Sequence, residues 1–185
     1  SLTSSASQGM SQVINVSNGA KFILCDCKGG GTITHSSGAK GKGVRVGGSD
    51  PAAATFSMYG GTISGNHADD PRSGAGGAGV EIQNGTFKMY GGTISDNYEE
   101  NAGSNYGGGG VCAHTSGTFT MYGGIISDNQ SVTDAGGVTV VGGTMNIYGG
   151  TISNNIAKGD GGGIWTNING FIISLSLIHI SEPTR

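Results

Sequence analysis

The chain repeats itself. The segment Phe56-Ser-Met-Tyr-Gly-Gly-Thr-Ile-Ser-Gly-Asn66 returns as Phe87-Lys-Met-Tyr-Gly-Gly-Thr-Ile-Ser-Asp-Asn97 and as Phe119-Thr-Met-Tyr-Gly-Gly-Ile-Ile-Ser-Asp-Asn129. A fourth copy runs from Met145 to Asn155, and successive copies start 31, 32 and 26 residues apart. Each copy is preceded by a G-V-x-V-like piece, Gly43-Val-Arg-Val, Gly79-Val-Glu-Ile, Gly110-Val-Cys-Ala and Gly137-Val-Thr-Val, and Gly163-Ile-Trp-Thr starts a further unit. A divergent earlier unit fits the same frame, with Val13-Ile-Asn-Val, Lys21 to Cys27, and Gly31-Thr-Ile-Thr. A repeat of this length signals a solenoid or an array of stacked units.

Each unit holds three short strand candidates separated by Gly pairs and Asn, which is turn chemistry. Phe and Met lie two apart in the second strand, so both face one side, while Tyr and the intervening Ser, Lys or Thr face the other. In the third strand the central Ile faces in. One unit buries about five apolar side chains, roughly 10 kcal/mol gross. Ordering its ~26 residues costs more than that, so a unit cannot fold alone. Units repeating in one chain direction pair as parallel strands, and parallel crossovers are right-handed. The expected architecture is all-β: a right-handed parallel β-helix of three-strand coils, about five and a half of them, over residues 1–174. Phe56, Phe87 and Phe119 are expected to stack inside, with Met145 continuing their column.

The 39 glycines follow no collagen period and serve the turns. Net charge is −3 with 11% charged residues, so no basic footprint points to nucleic acid. No apolar run reaches the ~18 residues of a spanning helix. Three cysteines are too few for a disulfide scaffold. Cys25 and Cys27 are placed on one face of a strand, with structural or incidental thiols preferred over a disulfide or metal. Ser1 in place of Met suggests a chain that begins inside a longer protein or after a processing site.

The G-G-G-V-x-V, G-T-F-x-M-Y-G-G and T-I-S-x-N blocks resemble the pectate-lyase-like β-helix repeats of large surface proteins from gut Firmicutes. The opening Phe22-Ile-Leu-Cys-Asp-Cys and Gly31-Thr-Ile-Thr-His look like entry coils of that group, and the resemblance covers roughly residues 13 to 173. It implies a secreted or wall-associated protein, a structural stalk or adhesin without established activity, whose partners are host or cell-wall glycans or surface proteins. Residues 175–185 break the pattern. They resemble the in-frame translation of a transposase-end sequencing adapter, found at the ends of metagenomic genes, and are expected to be a non-native tail.

Candidate sites follow from the columns. Tyr59, Tyr90, Tyr122 and Tyr148 form an outward row that either binds sugar or protein or, the preferred reading, stacks on itself over the Gly-Gly turns. Asp96 and Asp128 share one slot in adjacent units, about 4.8 Å apart. They are candidates for a weak Ca²⁺ site or an acid pair, against a tolerant surface turn suggested by Gly65 and Asn154 in the same slot. Asn66, Asn97, Asn129 and Asn155 are expected to form a structural amide ladder rather than a sugar site. Thr62, Thr93 and Thr151 resemble an ice-binding row, but Ile125 interrupts it. His35, His67 and His114 lie in different registers, and no acid-plus-basic constellation repeated at one wall is present in the sequence. The leading function is a non-catalytic, cofactor-free stalk or adhesin. The alternatives are a carbohydrate-binding module using the tyrosines, and a fragment of a polysaccharide lyase or glycoside hydrolase.

Overall fold

The structure, a computed structural model, describes residues 1–5, 11–49, 53–69, 76–100, 107–114, 116–168, 171–173 and 178–181. Its strands build a right-handed parallel β-helix. The first sheet collects the G-V-x-V strands: β2 (Gln12–Val16), β5 (Lys42–Gly47), β9 (Val80–Gln83), β13 (Val111–Ala113), β17 (Val138–Val140) and β21 (Ile164–Thr166). The second holds β3 (Lys21–Leu24), β6 (Ala54–Met58), β10 (Gly85–Met89), β14 (Thr118–Met121), β18 (Thr144–Ile147) and β22 (Ile172–Ile173). The third runs β1 (Leu2–Ser4), β4 (Thr32–His35), β7 (Thr62–Ser64), β11 (Thr93–Ser95), β15 (Ile125–Ser127), β19 (Gly150–Ser153) and β23 (Ile178–Ser181).

A fourth, narrow sheet was not legible in the repeat. It consists of two-residue strands β8 (His67–Ala68), β12 (Tyr98–Glu99), β16 (Gln130–Ser131) and β20 (Ile156–Ala157). These residues open the variable segments after each S-x-N, whose sequences share no apolar pattern. Backbone pairing aligns them, and the His67 and Tyr98 rings also meet at 4.9 Å. β1 likewise adds a third-sheet strand ahead of the first unit, pairing Leu2 with Ile33. At the other end, β23 pairs in parallel with β19, Ile152 opposite Ile180. Residues 175–177 and 182–185 of the tail lie outside the described residues.

Registers align like with like. Phe22, Phe56, Phe87, Phe119 and Met145 are successive partners, and the phenyl rings stack at 5.1, 4.7 and 5.3 Å. Ile63, Ile94, Ile126 and Ile152 form the third-sheet ladder, each with no exposed surface. Identical side chains repeated every coil fill one continuous core, which is why a unit too small to fold alone is stable in the stack.

Two glycine positions are forced by this stacking. The second Gly of the Gly-Gly turn, as at Gly124, has φ +96, and a Cβ there would lie 2.6 Å from Met89 Cε. The Gly before the first-sheet strand faces the interior, where a Cβ on Gly79 would lie 3.0 Å from Asn97 Nδ2. Both invariants of the repeat are therefore steric consequences of the neighbouring coil.

Candidate functional site

The x position of G-V-x-V points away from the core. Register places Asn15, Arg45, Glu81, Cys112, Thr139 and Trp165 in one column along the outer face of the first sheet. This wall assembles acid and basic groups once, around Glu81, without repeating them from coil to coil. Lys42 Nζ lies 2.8 Å from Glu81 Oε1, and neither side chain has exposed surface. Arg45 Nε is 3.5 Å from Glu81 Oε2, and His114 Nε2 is 3.6 Å from Glu81 Oε1. Gln83 Nε2 donates to Glu81 Oε1 at 2.8 Å and accepts from Arg45 Nη2 on its own Oε1. Cys112 Sγ is 3.5 Å from the same His114 nitrogen.

Linear reading missed this cluster because its members are spread over three successive coils and none repeats. Aligning the x slot of each unit would have revealed an Arg one coil before a Glu.

Electrostatics then decide what the cluster can do. Burial pushes the Glu81 carboxyl up, but hydrogen bonding and charge from His114 and Lys42 outweigh it and hold the group at about 2. Burial pushes His114 down, whereas Cys112 and then Glu81 raise it to about 10. A general acid or base works best with a pKa near the operating pH; here both groups are driven away from neutrality. Cys112 and Glu81 also meet the same imidazole nitrogen. In a nucleophilic triad the orienting acid holds the other nitrogen. Cys112, Glu81 and Lys42 are fully buried. The arrangement ties successive coils together.

The tyrosine column forms as expected: Tyr59, Tyr90, Tyr122 and Tyr148 stack at 4.6, 4.9 and 5.4 Å. They remain 37% to 54% exposed, but their faces are turned to one another, so ring edges and phenol oxygens face outward.

The Asp slot has a backbone cause. Asp96, Asp128 and Asn154 have φ of 55, 57 and 56, and Gly65 has φ 65. Gly, Asn and Asp are the residues that tolerate this left-handed conformation. Both aspartates are exposed, and no group of three or more potential metal ligands occurs among the described residues. The double change Asp96→Asn, Asp128→Asn is expected to leave urea-unfolding stability within about 0.5 kcal/mol. Asp96→Val should cost about 1–2 kcal/mol, because a β-branched residue resists positive φ.

The asparagine ladder is continuous. The Nδ2 of Asn66 donates to Asn97 Oδ1, that of Asn97 to Asn129 Oδ1 and that of Asn129 to Asn155 Oδ1, each at 2.9 Å. The same Oδ1 atoms accept the preceding Asn backbone N–H at 3.0–3.1 Å. His35 begins the series, its Nδ1 donating to Asn66 Oδ1 at 3.0 Å. The three histidines stay apart, as read from sequence: His67 bonds Glu100, and His114 belongs to the buried cluster.

All three thiols are free, Cys25 and Cys27 exposed and Cys112 buried. Cys25 and Cys27 lie beyond the end of β3 rather than within a strand. They flank Asp26, whose carboxylate accepts the N–H groups of Gly31, Gly29 and Lys28; these hold its pKa below the usual range. No helix among the described residues is long and apolar enough to cross a membrane.

Fold and wall together define the class: a right-handed parallel β-helix whose polar ladders and buried ion pairs join successive coils. No family profile, curated protein or solved structure matches the chain.

Proposed function

We propose that this chain is a stretch of an exported surface β-solenoid of the pectate-lyase-like kind found in Firmicutes, serving as a non-catalytic stalk or adhesin in the cell wall or outside it. The observation that carries the reading is the first-sheet wall. Its acid and basic groups are buried against one another, with Glu81 held at about 2 and His114 at about 10. A rod built on continuous ladders spaces binding surfaces at fixed intervals, as solenoids do. Purified protein incubated with pectin, polygalacturonate and host glycans is expected to release no product. Turnover that vanishes in Asp96→Asn, Asp128→Asn or in Glu81→Gln would instead assign a lyase or hydrolase.

A second reading, glycan binding at the tyrosine column, is favoured by the exposure of all four rings. Because their faces are mutually covered, the contact would run through phenol oxygens to sugar hydroxyls. Glycan retention that drops in Tyr90→Phe, Tyr122→Phe would move the assignment there.

A further inference from the structure

Where the second sheet turns into the third, the repeat spends three residues. Residues 59–61, 90–92, 122–124 and 148–150 separate the register-matched Met58, Met89, Met121 and Ile147 from Thr62, Thr93, Ile125 and Thr151. The first such corner departs from this. Leu24 pairs with Met58 and Thr32 with Thr62, so the seven residues 25–31 fill a place that three fill in later coils. This longer corner carries two of the three cysteines. Stacking does not demand the extra length, because the later corners close without it.

The loop is clamped from within. Both carboxylate oxygens of Asp26 are turned onto its backbone: Oδ1 accepts from Gly29 N–H at 2.8 Å and Lys28 N–H at 3.3 Å, and Oδ2 from Gly31 N–H at 2.8 Å. Gly29 and Gly30 adopt φ of +78 and +83, and a Cβ on either would meet nothing within 4 Å, so the tip stands clear of the coil. The Leu24–Met58 register puts Cys25 in the slot that Tyr59 fills one coil on. Cys25 and Cys27 are exposed and Asp26 between them is half-buried. That alternation is the pattern of an extended chain, which sends side chains two apart to the same side.

Spacing and chemistry narrow what the two thiols take. Side chains two apart on an extended chain start roughly 6.6 Å apart, whereas a disulfide wants its Cβ atoms about 3.8 Å apart. A metal ion between the sulfurs, with bonds of about 2.3 Å each as in zinc thiolates, lengthens the bridge and fits the wider span. Oxygen-seeking Ca²⁺ and Mg²⁺ need about six or more oxygens, and the Asp26 carboxylate is already turned inward. Zinc closes a structural site with four ligands, and no group of three or more His, Cys, Asp or Glu gathers among the described residues. Soft thiolates favour Cu(I), an ion with a filled d shell that two of them satisfy in a line.

The geometry points to a two-thiolate site for a soft monovalent cation, Cu(I), bridging Cys25 and Cys27 on the first corner between the second and third sheets. Binding converts one cation and two thiols into a singly negative bis-thiolate and two released protons, with no change of oxidation state.

The test titrates the full chain, reduced and without oxygen, with Cu(I) in competition with a chromophoric Cu(I) chelator, and counts bound metal by native mass spectrometry. One Cu(I) per chain is expected, with Zn²⁺ held about a hundredfold or more weaker in Kd. Cys25→Ser and Cys27→Ser should each weaken Cu(I) binding by more than the ~10–100-fold that losing a supporting hydrogen bond costs a metal site, because each removes half of the ligand set. Both side chains are exposed, so the circular dichroism of these variants should match the parent. Parent-like affinity in either variant, or one Cu(I) still bound when both are replaced, would overturn the proposal. Zn²⁺ bound as tightly as Cu(I) would also overturn it, as would a Cys25–Cys27 disulfide mapped in protein purified without reductant.

Discussion

Glu81→Ala should lower the unfolding free energy by about 3–5 kcal/mol, the loss typical of breaking a buried ion pair from one side. Lys42 would be left with no exposed surface and without its 2.8 Å carboxylate partner. Arg45 and His114 would lose the same counter-charge. Replacing both members by apolar residues, Lys42→Met with Glu81→Leu, should recover the part of the loss that comes from stranding Lys42, because two well-packed side chains need no desolvation, while Arg45 and His114 still lack their carboxylate. Urea unfolding of the two variants, read as midpoints at constant slope, makes the comparison. A Glu81→Ala midpoint equal to that of the parent would show that the pair contributes nothing.

The same cluster gives stability a dependence on pH. Glu81 titrates near 2 in the fold against 4.5 ordinarily. Its contribution is complete above about 4.5 and is lost as pH falls toward 2. His114 titrates near 10 against 6.5, so its contribution is complete below about 6.5 and is lost as pH rises toward 10. From this cluster alone, stability should peak between those ordinary values. The Lys42→Met, Glu81→Leu variant should show a flatter acid limb. An acid limb of unchanged steepness would assign acid unfolding to other carboxylates.

Asn97→Ala should cost about 2–4 kcal/mol, since several buried polar groups lose partners at once. Asn66 would lose the acceptor of both its backbone N–H and its Nδ2, and the Ile63 carbonyl its donor at 3.0 Å. In a solenoid the damage should stay near the break, because each coil contacts chiefly its neighbours. Hydrogen exchange should quicken first at Asn66, Tyr98 and Gln130, whose amides bond across these coils. Uniform acceleration from one end to the other would mean the ladder couples the whole rod as one unit.

How much of this was written in the chain follows from what repeats. Phe56, Phe87 and Phe119 could be assigned to one interior column, and Asn66 to Asn155 to one ladder, because a register that aligns one coil aligns all of them. The period, the parallel pairing and the inward or outward sense of each side chain were thus properties of the sequence. The fourth sheet was not, since His67, Tyr98, Gln130 and Ile156 share no side-chain pattern and are aligned by backbone pairing, with a ring contact only between His67 and Tyr98 among the described residues. Nor was the meaning of Asp96 and Asp128, which depends on a positive φ that Gly65 and Asn154 share. Lys42 and Arg45 share β5, but Glu81 and His114 come from the next two coils and none of the four recurs from coil to coil, so linear spacing does not bring them together. Stacking brings them within 4 Å of one carboxylate, and burial then decides that they hold coils together. Repetition determines architecture because each coil constrains the next; the non-repeating contacts acquire their chemistry only when the coils stack.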